Sequence, residues 1–218
     1  DDVRVNAPVH RVVRNADGVR VHTAERSERF DEVVFACHSD QTLAILGSEA
    51  TAEERRILGA VNYQPNVAYL HTDPALLPRR QKVWSAWNYA AQRDATHHEL
   101  SVTYWMNRLQ NLPGDLPLFV TLNPLTEPDP ALVHRRDIYH HPVFDAAAGA
   151  AQGRLWSLQG RRNTWFCGAW FGAGFHEDGL QAGLAVAEQL GDVRRPWTVE
   201  NESGRIHVTH RARVAEPA

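Results

Sequence analysis

The residues best suited to bind a ligand lie between Thr164 and Gly191. The apolar run Thr164–Cys167 predicts a short buried strand, the glycine-rich segment Gly168–Gly174 predicts a loop, and a helix is predicted from His176 to Gly191. A strand, a glycine loop and a helix N-terminus together point backbone N–H groups at an anionic or carbonyl ligand. This segment is therefore the first candidate site.

The loop lacks the spacing of a dinucleotide-binding loop. Gly172 and Gly174 are followed three residues on by Glu177, and no Gly-x-Gly-x-x-Gly occurs elsewhere in the chain. Glu177 and Asp178 favour the first helical turn through the helix dipole, but they would repel a phosphate at the same end. A carbonyl edge that gains negative charge, such as the N1–C2=O edge of an isoalloxazine ring, fits better.

The predicted helix also carries a stripe of small residues. Gly179, Gly183 and Ala187 recur every four residues and predict a shallow groove on one helix face. A flat ligand could approach closely there. The alternative is a glycine-rich helix packed tightly on a sheet without any ligand, and the spacing alone does not separate the two.

The twelve histidines predict no metal site. His97, His98 and Glu99 lack the His-Glu-x-x-His spacing that places two ligands on one helical face. His134 and the pair 140–141 lie on sequence that resembles a loop. We expect histidines that are exposed or that cap the core, and no bound metal.

The two cysteines and the serines suggest no nucleophile. Cys37 and Cys167 each border an apolar run and are expected to be small buried hydrophobes. No Gly-x-Ser-x-Gly elbow is present, so a serine hydrolase has no support. The residues alone identify no catalytic acid or base.

The elements that must position the candidate site begin with extended segments. Asn15–Gly18 predicts a turn, and the apolar run Val33–Ala36 predicts a strand buried on both faces of a layered sheet. Thr51–Glu54 matches a capping box at the start of a helix, and Ile57, Leu58 and Val61 are expected to form the apolar face of that helix.

Residues 61–145 are rich in aromatic and β-branched side chains and predict antiparallel strands. A candidate substrate wall is formed by five aromatic residues, with an ordinary aromatic core as the alternative: Trp84, Trp87, Tyr89, Tyr104 and Trp105. A connecting helix is predicted over 146–159, and the polar tail 196–218 is expected to be loosely held.

Composition excludes several classes. The chain has 218 residues and balances 23 Lys+Arg against 26 Asp+Glu, so it lacks the basic excess of a nucleic-acid binder. No apolar run approaches the ~20 residues of a transmembrane helix. Two cysteines cannot form a disulfide framework, so a cytoplasmic location is expected.

At this point the residues resemble a known family. Phe166-Cys167-Gly168, followed by the segment Gly174–Gly183, is similar to the C-terminal flavin-contact motif of the FAD-dependent amine oxidase family. Ala7–Val9 and the run Val33–Ala36 resemble the strand pair that leads back into that family's FAD domain. The aromatic runs look like its predicted NAD/FAD-binding branch, often encoded beside cyclopropane-fatty-acid synthases.

The resemblance implies roles for seven residues. Val9 would offer its backbone to the adenine of FAD, and Gly168 would end the strand beside the ribityl chain. Phe175 and His176 would border the flavin ring, with the His176 N–H near the pyrimidine carbonyl. Close approach would be permitted at three glycines: Gly174, Gly179 and Gly183.

The resemblance implies a mixed α/β (α+β) fold. A partial FAD-binding, Rossmann-like layer (1–60 and 160–195) would accompany an antiparallel substrate-domain sheet with helices (61–145). The strand-like start and the single Met106 suggest the C-terminal portion of a longer protein. Asp178 and Phe175 depart from residues common in amine oxidases, which makes an amine substrate less expected.

The leading hypothesis is an FAD-dependent oxidoreductase that transfers hydride from a small-molecule or acyl-lipid substrate to flavin. The alternative is a truncated, non-catalytic binding or scaffold module of the same fold, associated with lipid. In either case a half-domain with an unpartnered sheet would tend to form a homo-oligomer.

Overall fold

The structure is a computed structural model that describes residues 2–93 and 98–209. It divides into two compact units. The first contains the chain up to Tyr63 and again from Pro142 onward, and the second is Gln64–His141. The candidate loop and helix belong to the first unit, and the aromatic strands belong to the second.

Ten strands and five α-helices are assigned within the described residues. The strands are β1 (Val9–Asn15), β2 (Gly18–Thr23), β3 (Ser27–Phe30), β4 (Val33–Phe35), β5 (Asn62–His71), β6 (Trp87–Arg93), β7 (His98–Trp105), β8 (Phe119–Leu122), β9 (Val133–Val143) and β10 (Thr164–Phe166). The helices are α1 (Ser39–Leu46), α2 (Ala52–Leu58), α3 (Met106–Leu109), α4 (Ala146–Leu155) and α5 (His176–Gly191).

The first unit opens with the antiparallel meander β1-β2-β3. Gly18 closes the predicted turn with φ +127°, and a Cβ there would lie 2.5 Å from the carbonyl oxygen of Phe30. The turn therefore requires glycine both for its backbone angle and for the close passage of β3.

Strands β4 and β10 form a parallel pair in the register Val33–Thr164 to Phe35–Phe166. The prediction that β4 is buried on both faces is wrong at Val34, which is exposed, although Phe35 is buried. Val34 is 41% exposed, so the described residues pack no complete layer over its face of β4.

Helix α2 begins as predicted. Thr51 accepts a hydrogen bond from the Glu54 N–H at 3.1 Å, and Glu54 accepts one from the Thr51 N–H at 2.7 Å. This confirms the capping box, and Ile57 and Leu58 are fully buried in the core. Glu54 also pairs with the buried Arg14 of β1, at 2.6 and 2.9 Å, so the same carboxylate joins helix to sheet.

Residues 197–209 are more firmly held than their polar composition predicts, and residues 210–218 of the predicted tail lie outside the described residues. Ile206 is buried in the core of the first unit, and Arg205 donates to Asp178 of α5 at 2.6 Å. Just before it, Arg195 pairs with Glu188 of α5 at 2.6 Å. Ion pairs with α5 and the apolar side chains of Ile206 and Val208 fix a segment that has no helix or strand of its own.

The second unit contains a five-stranded sheet in the order β6-β7-β8-β5-β9. The prediction that residues 134–141 form a loop is wrong, because β9 covers them. Strand β9 lies at the sheet edge, and most of its side chains are exposed. A strand in that position needs no alternating apolar pattern, which is why its sequence did not predict it.

A buried polar chain crosses three strands of this sheet. The His71 imidazole accepts from the Asp73 N–H at Nδ1 (3.1 Å), and its Nε2 lies 2.7 Å from the Thr121 hydroxyl. Thr121 in turn lies 2.8 Å from the Thr103 hydroxyl. Burial lowers the pKa of His71, and the nearby Asp73 carboxylate offsets part of that effect.

The mixture of helices, a parallel strand pair and antiparallel sheets confirms the predicted α/β (α+β) class. Among the residues that the structure describes, no helix combines the length and the apolar character needed to cross a membrane.

Candidate functional site

The N-terminus of α5 presents unused backbone donors at the surface. Phe175 is the N-cap, with φ −90° and ψ 162°, and Phe175, His176 and Glu177 are all exposed. Within residues 2–93 and 98–209, the N–H groups of His176 and Glu177 find no acceptor. This is the arrangement that the sequence predicted for binding a carbonyl edge.

Asp178 does not face the solvent at this helix end. Its side chain is buried, and it accepts hydrogen bonds from the Phe175 N–H at 2.7 Å and from Arg205 at 2.6 Å. Burial alone would raise the pKa of Asp178, but these hydrogen bonds outweigh it and the pKa is lowered. The predicted repulsion of anions is therefore weakened, because Arg205 neutralises one of the two carboxylates.

Two of the predicted flavin-contact glycines are required by the chain's own packing. Gly168 has φ +150°, and a Cβ there would lie 2.6 Å from the Trp170 indole nitrogen. Gly174 has φ +88°, and a Cβ there would lie 3.0 Å from the Phe144 ring. Both positions need glycine whether or not a ligand binds, so their identity does not distinguish the two sequence interpretations.

The other two glycines lie on α5 and differ from each other. A Cβ at Gly179 would lie 3.4 Å from the Ala169 backbone nitrogen, so this position packs against the preceding loop. A Cβ at Gly183 would meet nothing within 4 Å. Gly183 is the one position of the four where the missing side chain leaves open space for a flat group.

Val9, the seventh predicted residue, lies at the start of β1. It pairs with Thr23, and the register shifts between Val9 and Arg11, as in a β-bulge. The partly buried Val9 side chain packs against the core. The structure thus gathers Gly174, Phe175 and His176 at one helix end and places Val9 on a separate element.

The predicted aromatic wall of the second unit is divided between two faces of its sheet. Trp87 pairs with Tyr104 across the β6–β7 ladder, and Trp105 pairs with Phe119 across β7 and β8. Because side chains alternate along a strand, Trp87 and Tyr104 share one face while Trp105 lies on the other. There it contacts Trp84, with ring centroids 5.6 Å apart.

The second unit also contains a cavity of about 570 Å³ that the sequence did not predict. Its lining includes Tyr69, Glu127 and Arg136. The Tyr69 hydroxyl donates to Glu127 at 3.0 Å and accepts from Arg136 at 3.2 Å. These residues are far apart in sequence, and no local motif could have joined them.

Metal-ligating and nucleophilic side chains do not form a competing site in the described ranges. No group of three or more His, Cys, Asp or Glu residues could hold a metal there; His97 lies outside those ranges. Burial raises the pKa of the Cys167 thiol. The Cys37 sulfur lies 3.3 Å from the Thr42 hydroxyl.

Comparison with solved structures shows the fold. A structure described as a CLA-producing fatty acid isomerase from P. acnes matches with a TM-score of 0.55 and 16% identity over 84% of this chain and 47% of its own. A variant of putrescine oxidase with redesigned cofactor binding matches with a TM-score of 0.56 and 14% identity over 86% and 49%. The chain therefore spans about half the length of these structures.

Sequence comparison shows the family. No curated protein matches the chain. The sequence model described as flavin containing amine oxidoreductase matches residues 1–110, which is half of the chain. The matched region contains β1 to β7 and precedes the loop that the sequence singled out. Taken with the fold, this match shows that the chain belongs to the family of flavin-containing amine oxidoreductases.

Proposed function

We propose that the chain works as part of an FAD-dependent oxidoreductase in which hydride passes from a substrate carbon to the flavin. The observation that carries this proposal is the exposed N-terminus of α5, where the His176 and Glu177 N–H groups have no acceptor among the described residues. Membership of a flavin-containing family supplies the cofactor class, and FAD as its particular form is part of the proposal.

The residues at this helix end fit a flavin ring. The exposed Phe175 side chain would border the ring, and the His176 N–H would donate to a pyrimidine carbonyl. Gly183 leaves open space beside the helix, and Val9 would offer its backbone to the adenine. When bound, the flavin would accept the two electrons of the broken C–H bond together with the hydrogen.

The contribution of α5 would be electrostatic. Backbone donors at a helix N-terminus are fixed before reaction and cost no reorganisation when negative charge develops on a carbonyl edge. Asp178 is paired with Arg205, so it adds little opposing charge. The chain would therefore favour the reduced form of a flavin held there.

The sharpest test removes one N–H and keeps the helix. Proline is favoured at the first helical position, and the extended backbone of Phe175 suits a residue that precedes proline. We expect His176→Pro to weaken flavin binding roughly threefold to tenfold, the value of one hydrogen bond. His176→Ala keeps the N–H and should bind flavin normally; equal affinities for the two variants would contradict the assigned role.

A second pair of variants tests the groove. Gly183→Leu should block flavin binding while the helix remains folded, because its Cβ meets open space. Gly149→Leu is the matched control, since a Cβ at that position of α4 also meets nothing within 4 Å. If the protein expressed from its complete gene binds no flavin, the non-catalytic module becomes the better explanation.

A further inference from the structure

A hydrogen-bonded chain of two amides in the second unit ends on His141. It starts at the Asn123 side chain, whose Oδ1 accepts from the Val67 N–H at 3.0 Å. A backbone N–H can only donate, so this contact fixes which end of the Asn123 amide is the oxygen. Its Nδ2 then donates to Oδ1 of Asn66 at 2.7 Å.

The second amide transmits this orientation to the imidazole. With its oxygen occupied by Asn123, Asn66 turns its Nδ2 toward Nδ1 of His141, at 2.9 Å, and toward the Gln64 carbonyl, at 3.0 Å. Since an amide nitrogen cannot accept, Nδ1 of His141 must be the acceptor. The proton of the neutral imidazole therefore lies on Nε2.

The face on which His141 lies is largely apolar and aromatic across the other four strands of the sheet. Asn66 shares a face of β5 with Ala68 and Leu70, and strand pairing places the following residues on the same face: Val102, Tyr104, Val120, Leu122, Trp87 and Tyr89. On β9, the Tyr139 and His141 rings lie with their centroids 6.3 Å apart. Farther along β9, Arg135 Nε lies 2.5 Å from Asp137 Oδ2, so the two side chains neutralise each other's charge.

Exposure distinguishes His141 from the buried His71. The His141 side chain is exposed, so its Nε2–H remains available to a ligand. Ordering the amide side chains of Asn66 and Asn123 costs conformational entropy. The stability of the fold gains little in return, because the Nε2–H whose direction they fix is exposed. Preorganised donors of this type are characteristic of binding sites.

We propose that the Nε2–H of His141 donates a hydrogen bond to the carboxylate or carbonyl oxygen of an acyl-chain substrate. Asn66 and Asn123 are positioning residues that set its tautomer. The apolar and aromatic side chains of the same sheet face take the hydrocarbon, and the oriented Nε2–H of His141 takes the oxygen. This inference rests on the proposed function, for which it supplies a substrate class, but its test requires no flavin.

The binding test uses dodecanoate and dodecylamine, which have equal chain lengths and opposite head groups. Titrations of the 218-residue chain followed by NMR should show His141→Phe binding dodecanoate roughly tenfold or more weakly, the value of a hydrogen bond to a charged group. Dodecylamine has no acceptor for this N–H, and its affinity should not change. His140→Phe is the matched control, because the adjacent side chain lies on the opposite face of β9.

The tautomer test uses the imidazole ¹⁵N spectrum. The chain should show His141 with its proton on Nε2, and Asn66→Asp should move that proton to Nδ1 because a carboxylate only accepts. The same variant should bind dodecanoate as weakly as His141→Phe does. Equal loss of both probes in His141→Phe, or an unmoved proton in Asn66→Asp, would overturn the proposal, whereas failure to bind flavin would overturn only the proposed oxidoreductase.

Discussion

The two units are held together internally by different kinds of buried polar contact. The first unit relies on buried charge: Arg14 pairs with Glu54, and the buried carboxylate of Asp178 pairs with Arg205. The sheet of the second unit relies on a neutral chain from His71 through Thr121 to Thr103. Removing one partner of a buried charged pair is costly because it strands an unpaired charge, whereas a neutral chain loses less when one member is removed.

The same difference separates the two candidate sites. The end of α5 offers backbone N–H groups, whose direction follows from the helix itself. The sheet of the second unit offers a side-chain donor, the exposed His141, whose direction depends on Asn66 and Asn123. A backbone site tolerates most side-chain changes, while a side-chain site fails when any member of its chain is altered.

The largest expected effect tests the charged contact. Arg14→Leu leaves Glu54 buried without its cation and should lower the free energy of unfolding by about 3–5 kcal/mol, measured by urea denaturation. Adding Glu54→Gln removes the stranded charge and keeps an oxygen for the Thr51 N–H, so the double variant should recover part of the loss. A cost below about 1 kcal/mol for Arg14→Leu would end the contrast between the units.

A smaller effect is expected in the neutral chain. Thr121→Val leaves the His71 Nε2–H and the Thr103 hydroxyl each short of a partner, and should cost about 1–3 kcal/mol in the same measurement. Thr121→Ser keeps the hydroxyl and should cost much less. If the serine and valine variants lose equal stability, packing of the methyl group explains the site and hydrogen bonding does not.

The smallest effect is a difference in pH dependence. Burial lowers the pKa of His71 from 6.5, so the folded second unit binds fewer protons than the unfolded chain. The contribution of the neutral His71 to stability is complete above about pH 6.5 and is lost as the pH falls toward the lowered pKa of the folded state. The pKa values of Glu54 and Asp178 are lowered from 4.5 and 3.8. Their contributions to stability are therefore complete above those pH values and are lost only at lower pH.

Hydrogen exchange corrected for intrinsic rates can compare the units between pH 7 and pH 5. Protection of the amides that pair β5 with β8 should fall from pH 7 to pH 5 more than amide protection in α2 or α5. His71→Gln should remove most of that difference. If amide protection falls equally in both units, and does so in His71→Gln as well, the pH effect comes from other histidines.

Local sequence predicted much of the first unit. The capping box of α2, the turn at Gly18 and the span of α5 follow from residues a few positions apart, and all three are found. Helix α5 ends at Gly191 as predicted, and Asp192 after it adopts the left-handed conformation.

Sequence was a poor guide to the second unit for two reasons. Strand β9 is an exposed edge whose polar residues carry no alternating pattern, so it was missed. The sequence predicted a wall of aromatic residues but not which of them share a sheet face, because the register with neighbouring strands sets the face. The chain of two amides that ends on His141 depends on both the edge strand and the register, because it joins residues of β5 and β9 and the residue after β8.

By itself the sequence determined the elements that short-range chemistry controls, together with the resemblance to a flavin-binding family. Turn residues, caps and hydrophobic periodicity act over a few positions and can be interpreted without knowing the fold. Only the tertiary structure decided that Arg205 neutralises Asp178, that Gly183 faces open space, and that two asparagines orient His141. These features join residues distant in sequence, and pairing over such distances is set by strand register and packing.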